Sequence, residues 1–242
     1  MLQRTEGIVL RTTPYGEADL IVTFLTKDHG IIKVFAKSPR KVKSRFGSSL
    51  EPLTCSRISF WGKEDSALPR LTQADITHAY RSIRESLNCF LKVSELIELT
   101  LHLVPERDRS RNVFSLLMRT LAFMEAGPAE QLITLFYKLK LLEITGFLPR
   151  LQSCGRCGEE GDAFHLTHGT VLCGNCCRDG GQVSSISPGV RTFFSTLLKW
   201  EMSKLHRLKP AEGIIRELVV LIDEHVQYVT EKNLRTKSFR GG

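Results

Sequence analysis

Polar and apolar residues alternate in short runs up to about residue 79, and beyond it apolar residues recur at steps of three and four. The first pattern is that of strands with one buried face, the second that of amphipathic helices. Gly7 to Arg11, Leu20 to Thr26, Ile31 to Lys37, Arg57 to Trp61 and Leu71 to His78 are rich in Ile, Val, Phe and Thr. Turn-prone residues separate them: Pro14-Tyr15-Gly16, Asp28-His29-Gly30, Pro39, Gly47 and Gly62. Five short strands in so little chain predict a small β-barrel. An OB-type barrel has that strand count, and an SH3-like barrel competes with it on pattern alone.

From Ser82 the period is helical, with Ile83, Leu87, Phe90, Ile97, Leu101 and Val104 on one stripe that ends before Pro105. A second helix is expected over Arg111 to Glu125. A third carries Leu132, Leu135, Phe136, Leu139 and Leu142 on one face. Gly146 stands where a left-handed cap would end it, with Phe147 placed for the accompanying hydrophobic contact. Ser187-Pro188 opens a helix bearing Val190, Phe193, Phe194, Leu197 and Leu198. The last helix, near Ala211 to Thr230, aligns Ile215, Leu218, Ile222, Val226 and Val229. The basic tail from Arg235 to Gly242 has no packing pattern. The expected fold class is α+β: a five-stranded barrel over residues 1–80, then a helical domain over 81–242 with an inserted cysteine module at 151–181.

Composition adds little to this except in charge and cysteine. The 242 residues are 42% hydrophobic and 25% charged, ordinary for a globular chain. The net charge of +8 favours polyanionic partners, nucleic acid or an anionic membrane surface. No apolar run approaches the roughly 20 residues of a spanning helix, and Met1 to Arg11 lacks the apolar stretch of a secretory signal. A cytosolic protein with no membrane partner is expected. Five of the seven cysteines lie between Cys154 and Cys177, which in a reducing compartment points to metal rather than disulfides.

Cys154-Gly-Arg-Cys157 and Cys173-Gly-Asn-Cys176 form two C-x-x-C knuckles at the spacing of a paired-knuckle zinc site. Each tight turn offers two thiolates to one tetrahedral ion. Cys177 competes with Cys176 as fourth ligand, and the C-x-x-C register favours Cys176. His165 and His168 read as surface residues of a hairpin turning at His168-Gly169. Four thiolates leave no open position for an activated water, so one structural Zn2+ is expected.

Residues 31 to 37 put Ile32, Val34 and Ala36 on one face and Lys33, Phe35 and Lys37 on the other. An aromatic ring between two ammonium groups suits a base with phosphate on either side. Arg40, Lys41, Lys43 and Arg45 follow, with no acid from Lys33 to Arg45. Arg57 and Trp61, which share parity on another strand, would extend that surface. The alternative is a charged edge strand that discourages aggregation, in a zinc-containing scaffold whose barrel binds a protein. No phosphate loop, nucleophile elbow or H-E-x-x-H motif occurs, and Glu106 and Asp108 have no evident acid/base partner, so the chain is not expected to be an enzyme.

Glu6-Gly7-Ile8-Val9-Leu10-Arg11 and Tyr15-Gly16-Glu17-Ala18-Asp19-Leu20-Ile21-Val22 resemble the opening of the bacterial RecO recombination mediators. So do Gly47 to Pro52, Leu71 to Asp75 and Leu139 to Phe147, and the four knuckle cysteines come where the zinc-binding members have theirs. The resemblance covers nearly the whole chain and implies the OB-type barrel. It also implies a cytoplasmic, nucleoid-associated mediator of DNA repair and recombination. Such a protein binds single- and double-stranded DNA, anneals complementary strands and, with RecR, loads RecA onto DNA coated by single-strand-binding protein. For the acidic tail of that coating protein, Arg111, Arg119, Lys138 and Lys140 are candidates by charge and helix position. Cys177 is a departure, since a zinc knuckle often carries glycine there.

Overall fold

Ile8, Val9 and Leu10 are buried in succession, which a regular strand with alternating side chains does not allow. A bulge between Val9 and Arg11 makes room for the extra inward residue. It sits within β1 (Leu2–Tyr15), which pairs through its first half with β4 (Thr54–Trp61) and through its second with β2 (Asp19–Thr26). One long, coiled strand therefore serves two neighbours. β3 (Gly30–Ala36) and β5 (Arg70–Ala79) complete a closed barrel of order β1-β2-β3-β5-β4, in which β3 meets β5 in parallel at Phe35 and Arg70. The order and the single parallel contact agree with the OB-type expectation.

The computed structural model describes residues 1–41, 44–63, 66–109, 111–127, 130–177 and 183–230. Lys43 and the tail from Arg235 lie outside them. Inside the barrel, Val22 and Phe24, Ile32, Val34 and Ala36, and Ile58 and Phe60 interdigitate at period two. Phe46 and Leu50, from a 3-10 turn and its approach at Gly47–Leu50, complete the barrel core. Phe46 is thus a core residue and not part of the basic loop; the Arg45 guanidinium lies 4.8 Å above its ring.

The helices are α1 (Arg81–Glu85), α2 (Leu87–Leu103), α3 (Arg111–Ala126), α4 (Glu130–Thr145), α5 (Pro188–Lys199) and α6 (Glu212–Thr230). The stripe expected to start at Ile83 is two helices, because Ser86 is extended between them and leaves Leu87 72% exposed. Gly146 has φ +80, and the Phe147 amide donates to the Leu142 carbonyl, so α4 ends in the expected left-handed cap. Ser187 caps α5 by accepting from the Val190 amide. β6 (Ala163–His165), β7 (Thr170–Leu172) and β8 (Val183–Ser185) form a small sheet of order β7-β6-β8.

Two compact units result. One holds Met1–Val93 with Val104–Glu125, and the other Ser94–Leu103 with the chain from Ala126 on. Among the described residues, no helix is long and apolar enough to cross a membrane.

Candidate metal centre and nucleic-acid interface

The hairpin of β6 and β7 turns through a 3-10 segment at Leu166–His168 and Gly169, whose φ is +58. It stands between two knuckles of like geometry. The Gly158 amide donates to the Cys154 carbonyl at 2.9 Å, and the Cys176 and Cys177 amides donate to the Cys173 carbonyl at 3.0 and 2.9 Å. Gly158 takes φ +81. A Cβ on Gly155 would lie 2.6 Å from Thr170, so this first knuckle needs glycine for close approach.

These turns bring the Sγ atoms of Cys154, Cys157, Cys173 and Cys176 within 4.8 Å of one another. Four thiolates this close cannot share their charge without a cation. Backbone amides of Cys173, Cys157 and Arg156 hold the Cys154 thiol down to about 6. Cys176, hydrogen-bonded to Cys157 and Cys173, is pushed up to about 12. The backbone favours one thiolate while neighbouring sulfurs resist ionising beside it; a dication would take up the charge of all four. The cluster can hold a metal ion.

Cys177 is not part of it. Its Sγ lies 3.1 Å from Nε2 of His165, and His165 is 1% exposed. The surface reading of His165 is therefore corrected: as the last residue of β6 its ring turns inward to meet Cys177. His168 is on the exposed turn, 3.4 Å from the Arg156 guanidinium.

In the barrel, β3 shows the expected alternation. Ile32, Val34 and Ala36 are in the core, Lys33 and Lys37 are exposed and Phe35 is half-buried on the outer face. The Phe35 ring meets Tyr15 edge-on with centroids 5.8 Å apart. Arg40, Lys41 and Arg45 are exposed on the loop that follows. The Arg40 amide donates to the Ala18 carbonyl, which sets that loop beside the turn between β1 and β2. Lys33 is not free of acid, since Glu106 forms an ion pair with it. No acid neighbours Lys33 in sequence; Glu106 reaches it through a bridge between its own backbone and Ile31.

Two family models divide the chain. Residues 1–80 match "Recombination protein O N terminal" and residues 84–238 match "Recombination protein O C terminal". A DNA repair protein RecO from Thermodesulfovibrio yellowstonii is 39% identical over 95% of this chain and 97% of its own length. The chain belongs to the RecO family. Its likeness to the RecO of Syntrophus aciditrophicus is 30% over 96% of this chain and 93% of the relative. That of Bacillus pumilus is 28% identical over 99% and 93%.

In this RecO-family chain the four helix cations expected to meet a partner do not act alike. Lys138 is buried, and its ammonium donates to Glu95 at 2.5 Å and Asp223 at 2.7 Å. It cannot line a surface pocket, because its charge is spent inside the second unit. Lys140 is half-buried and donates to Glu143 and to the Leu198 carbonyl. Arg111 pairs with Asp28 at 2.9 Å, and Arg119 is exposed. Arg111 and Arg119 belong to the first unit, Lys138 and Lys140 to the second.

The second unit does carry a groove, of about 720 Å³, whose lining includes Phe147, Arg150, Arg156, His168, His225 and Tyr228. Phe147 is 45% exposed and Tyr228 46%, so both rings offer apolar surface to the groove. The His225 Nε2–H donates to the Phe147 carbonyl at 2.7 Å and fixes that segment. Sequence pattern missed the groove because its residues come from four separate segments.

Proposed function

We propose that this RecO-family protein is a DNA-binding mediator of repair and recombination that works without covalent chemistry. The observation that carries the reading is the outer face of β3, where half-buried Phe35 stands beside exposed Lys33, with exposed Lys37 just past the strand's end. The curated relatives are DNA repair proteins, and basic side chains flanking a ring suit single-stranded nucleic acid. Lys33, Lys37, Arg40, Lys41, Lys43 and Arg45 neutralise phosphates and Phe35 stacks on a base. Screening the repulsion between two strands while their pairing edges stay open lets complementary strands anneal. Cooperation with RecR, and loading of RecA onto DNA coated by single-strand-binding protein in the bacterial cytoplasm, are the activities this surface would serve.

The ion held by Cys154, Cys157, Cys173 and Cys176 is proposed to be zinc. Four soft sulfur donors in a closed set fit it, and such a site stabilises structure rather than activating water. The acidic tail of single-strand-binding protein is assigned to the groove of Phe147, Arg150, Arg156 and Tyr228, where apolar surface is rimmed by guanidinium groups. This replaces the assignment to Lys138.

The test is a salt titration of single-stranded DNA binding with Lys33→Glu/Lys37→Glu. Binding should weaken on every sequence, and the slope of log K against log salt should flatten by about 1.4, from about 0.7 per lost phosphate contact. Unchanged affinity would place the DNA elsewhere. Annealing of complementary strands, bare and protein-coated, should fall with it.

A further inference from the structure

Trp61 is 62% exposed at the end of β4, an uncommon position for the largest apolar side chain. Its cross-strand partner on β5 is Arg70, and Arg70 is itself the residue through which β5 meets Phe35 of β3. Residues in register across a sheet share a face. Phe35, Arg70 and Trp61 therefore form one row on the outside of the barrel, perpendicular to the strands. Leu2, paired with Trp61 on β1 and 50% exposed, continues it at one end. Ile21, paired with Phe35, continues it at the other, and Tyr15 packs edge-on against Phe35. Along this row an aromatic ring, a guanidinium and a second aromatic ring succeed one another.

The spacing says what the row can hold. Phe35 and Trp61 lie two strands apart, about 10 Å at about 4.8 Å per strand. That is too far to clamp one base, and both rings are on one surface. Two rings at that spacing suit two successive bases of one strand, with a cation between them for the linking phosphate. Among the described residues no ion pair or side-chain hydrogen bond engages Arg70, whose guanidinium is exposed. Arg57, the cation of β4, is in register with Asp75 of β5 and not with Phe35 or Trp61. The row of rings runs through Arg70.

We propose that Trp61 and Arg70 are nucleic-acid-binding residues, and that a single strand crosses the barrel over β3, β5 and β4 rather than following β3 into its loop. This rests on the DNA-binding reading and gives it a direction and a second stacking site. A duplex, whose bases are covered by their neighbours, has no use for the two rings; the row selects unpaired nucleotides.

Trp61 reports on itself, because the chain has only one other tryptophan, Trp200. The full-length Trp200→Phe protein is titrated with an end-labelled oligothymidylate, following both label anisotropy and tryptophan emission. Emission should quench with the same midpoint as the anisotropy rise, and bound Trp61 should resist iodide. Trp61→Ala should weaken binding about 5- to 150-fold, the equivalent of about 1–3 kcal/mol per stacked base, while Trp61→Phe restores most of it. Anisotropy that saturates with unchanged emission, and a Trp61→Ala affinity equal to wild type, would overturn the path over β4 and leave the basic β3 surface standing. That outcome would also fit a row built for a protein partner. An anisotropy that never rises in the unsubstituted protein would remove both readings together.

Discussion

The ammonium of Lys138 lies 2.5 Å from Glu95 Oε1, and the two side chains are only 8% and 2% exposed. Asp223 completes the site from α6 at 2.7 Å. One cation thus ties three helices of the second unit, α2, α4 and α6, through two carboxylates. Burial pulls the lysine's pKa down, but Asp223 and Glu95 more than offset that and hold it above its usual value. Removing one member of a buried pair strands the others. Lys138→Met is expected to lower unfolding stability by about 3–5 kcal/mol, read by urea denaturation, with little change in the affinity of an acidic peptide for the folded protein. Since the folded pKa is raised, the stabilisation is complete below the unfolded value of about 10.4 and fades as pH climbs through the folded one. A Lys138→Met protein as stable as wild type would show that the triad is not a tie.

Glu106 holds Lys33, on the face proposed to bind DNA, in an ion pair. Glu106→Gln keeps the side chain's shape and releases the ammonium for phosphate. Single-stranded DNA affinity should rise at low salt, and the slope of log K against log salt should steepen by up to about 0.7. Lys33→Gln in the same background should abolish the gain. No gain in Glu106→Gln would mean that Lys33 does not reach the nucleic acid.

The outer face of β3 was legible because strand alternation is strict: once Ile32, Val34 and Ala36 are core, Lys33 and Phe35 have one direction left; Lys37 lies past the end of the strand, which stops at Ala36. The four cysteines were legible because each C-x-x-C carries its own turn. Long-range partners were not. Nothing near Lys138 in the sequence shows that Glu95 and Asp223 converge on it from other helices, and α4 is buried nearly all round, so no polar stripe warned against a surface reading. The row of Phe35, Arg70 and Trp61 was hidden for a related reason. It depends on register across three strands, and β3 meets β5 at a single parallel position. Barrel closure decides that pairing, and closure has no local signature.

Cys176 and Cys177 are adjacent but differ in role. Cys176 is within the sulfur cluster, while Cys177 faces His165 at 3.1 Å. Cys176→Ser is expected to lose the metal, read as one equivalent released to a colorimetric chelator without denaturant. Cys177→Ser should retain it at wild-type stoichiometry. Stripping the metal from the unsubstituted protein should destabilise the second unit, since ion binding is coupled to folding. Affinity of the barrel for single-stranded DNA should change far less. Equal metal loss from both serine variants would assign Cys177 to the coordination sphere.

His225 links the groove to acid stability. Its Nε2–H donates to the Phe147 carbonyl, its Nδ1 is buried with no partner among the described residues, and burial pushes its pKa below the usual imidazole value. The folded protein therefore holds it neutral where the unfolded chain, with an ordinary pKa of about 6.5, takes up a proton. The unfolded state binds more protons in that window, so stability falls as pH drops below about 6.5 and levels off beneath the folded pKa. The slope from this one group is at most about 1.4 kcal/mol per pH unit. The hydrogen bond to the Phe147 carbonyl works the other way and favours the proton, but burial outweighs it. His225→Gln should remove the difference, so unfolding free energies of the two proteins should diverge least below pH 6 and most above pH 7. Parallel curves for wild type and His225→Gln from pH 5.5 to 8 would mean that the imidazole is protonated equally in both states, and that the Phe147 segment is not held by a neutral ring.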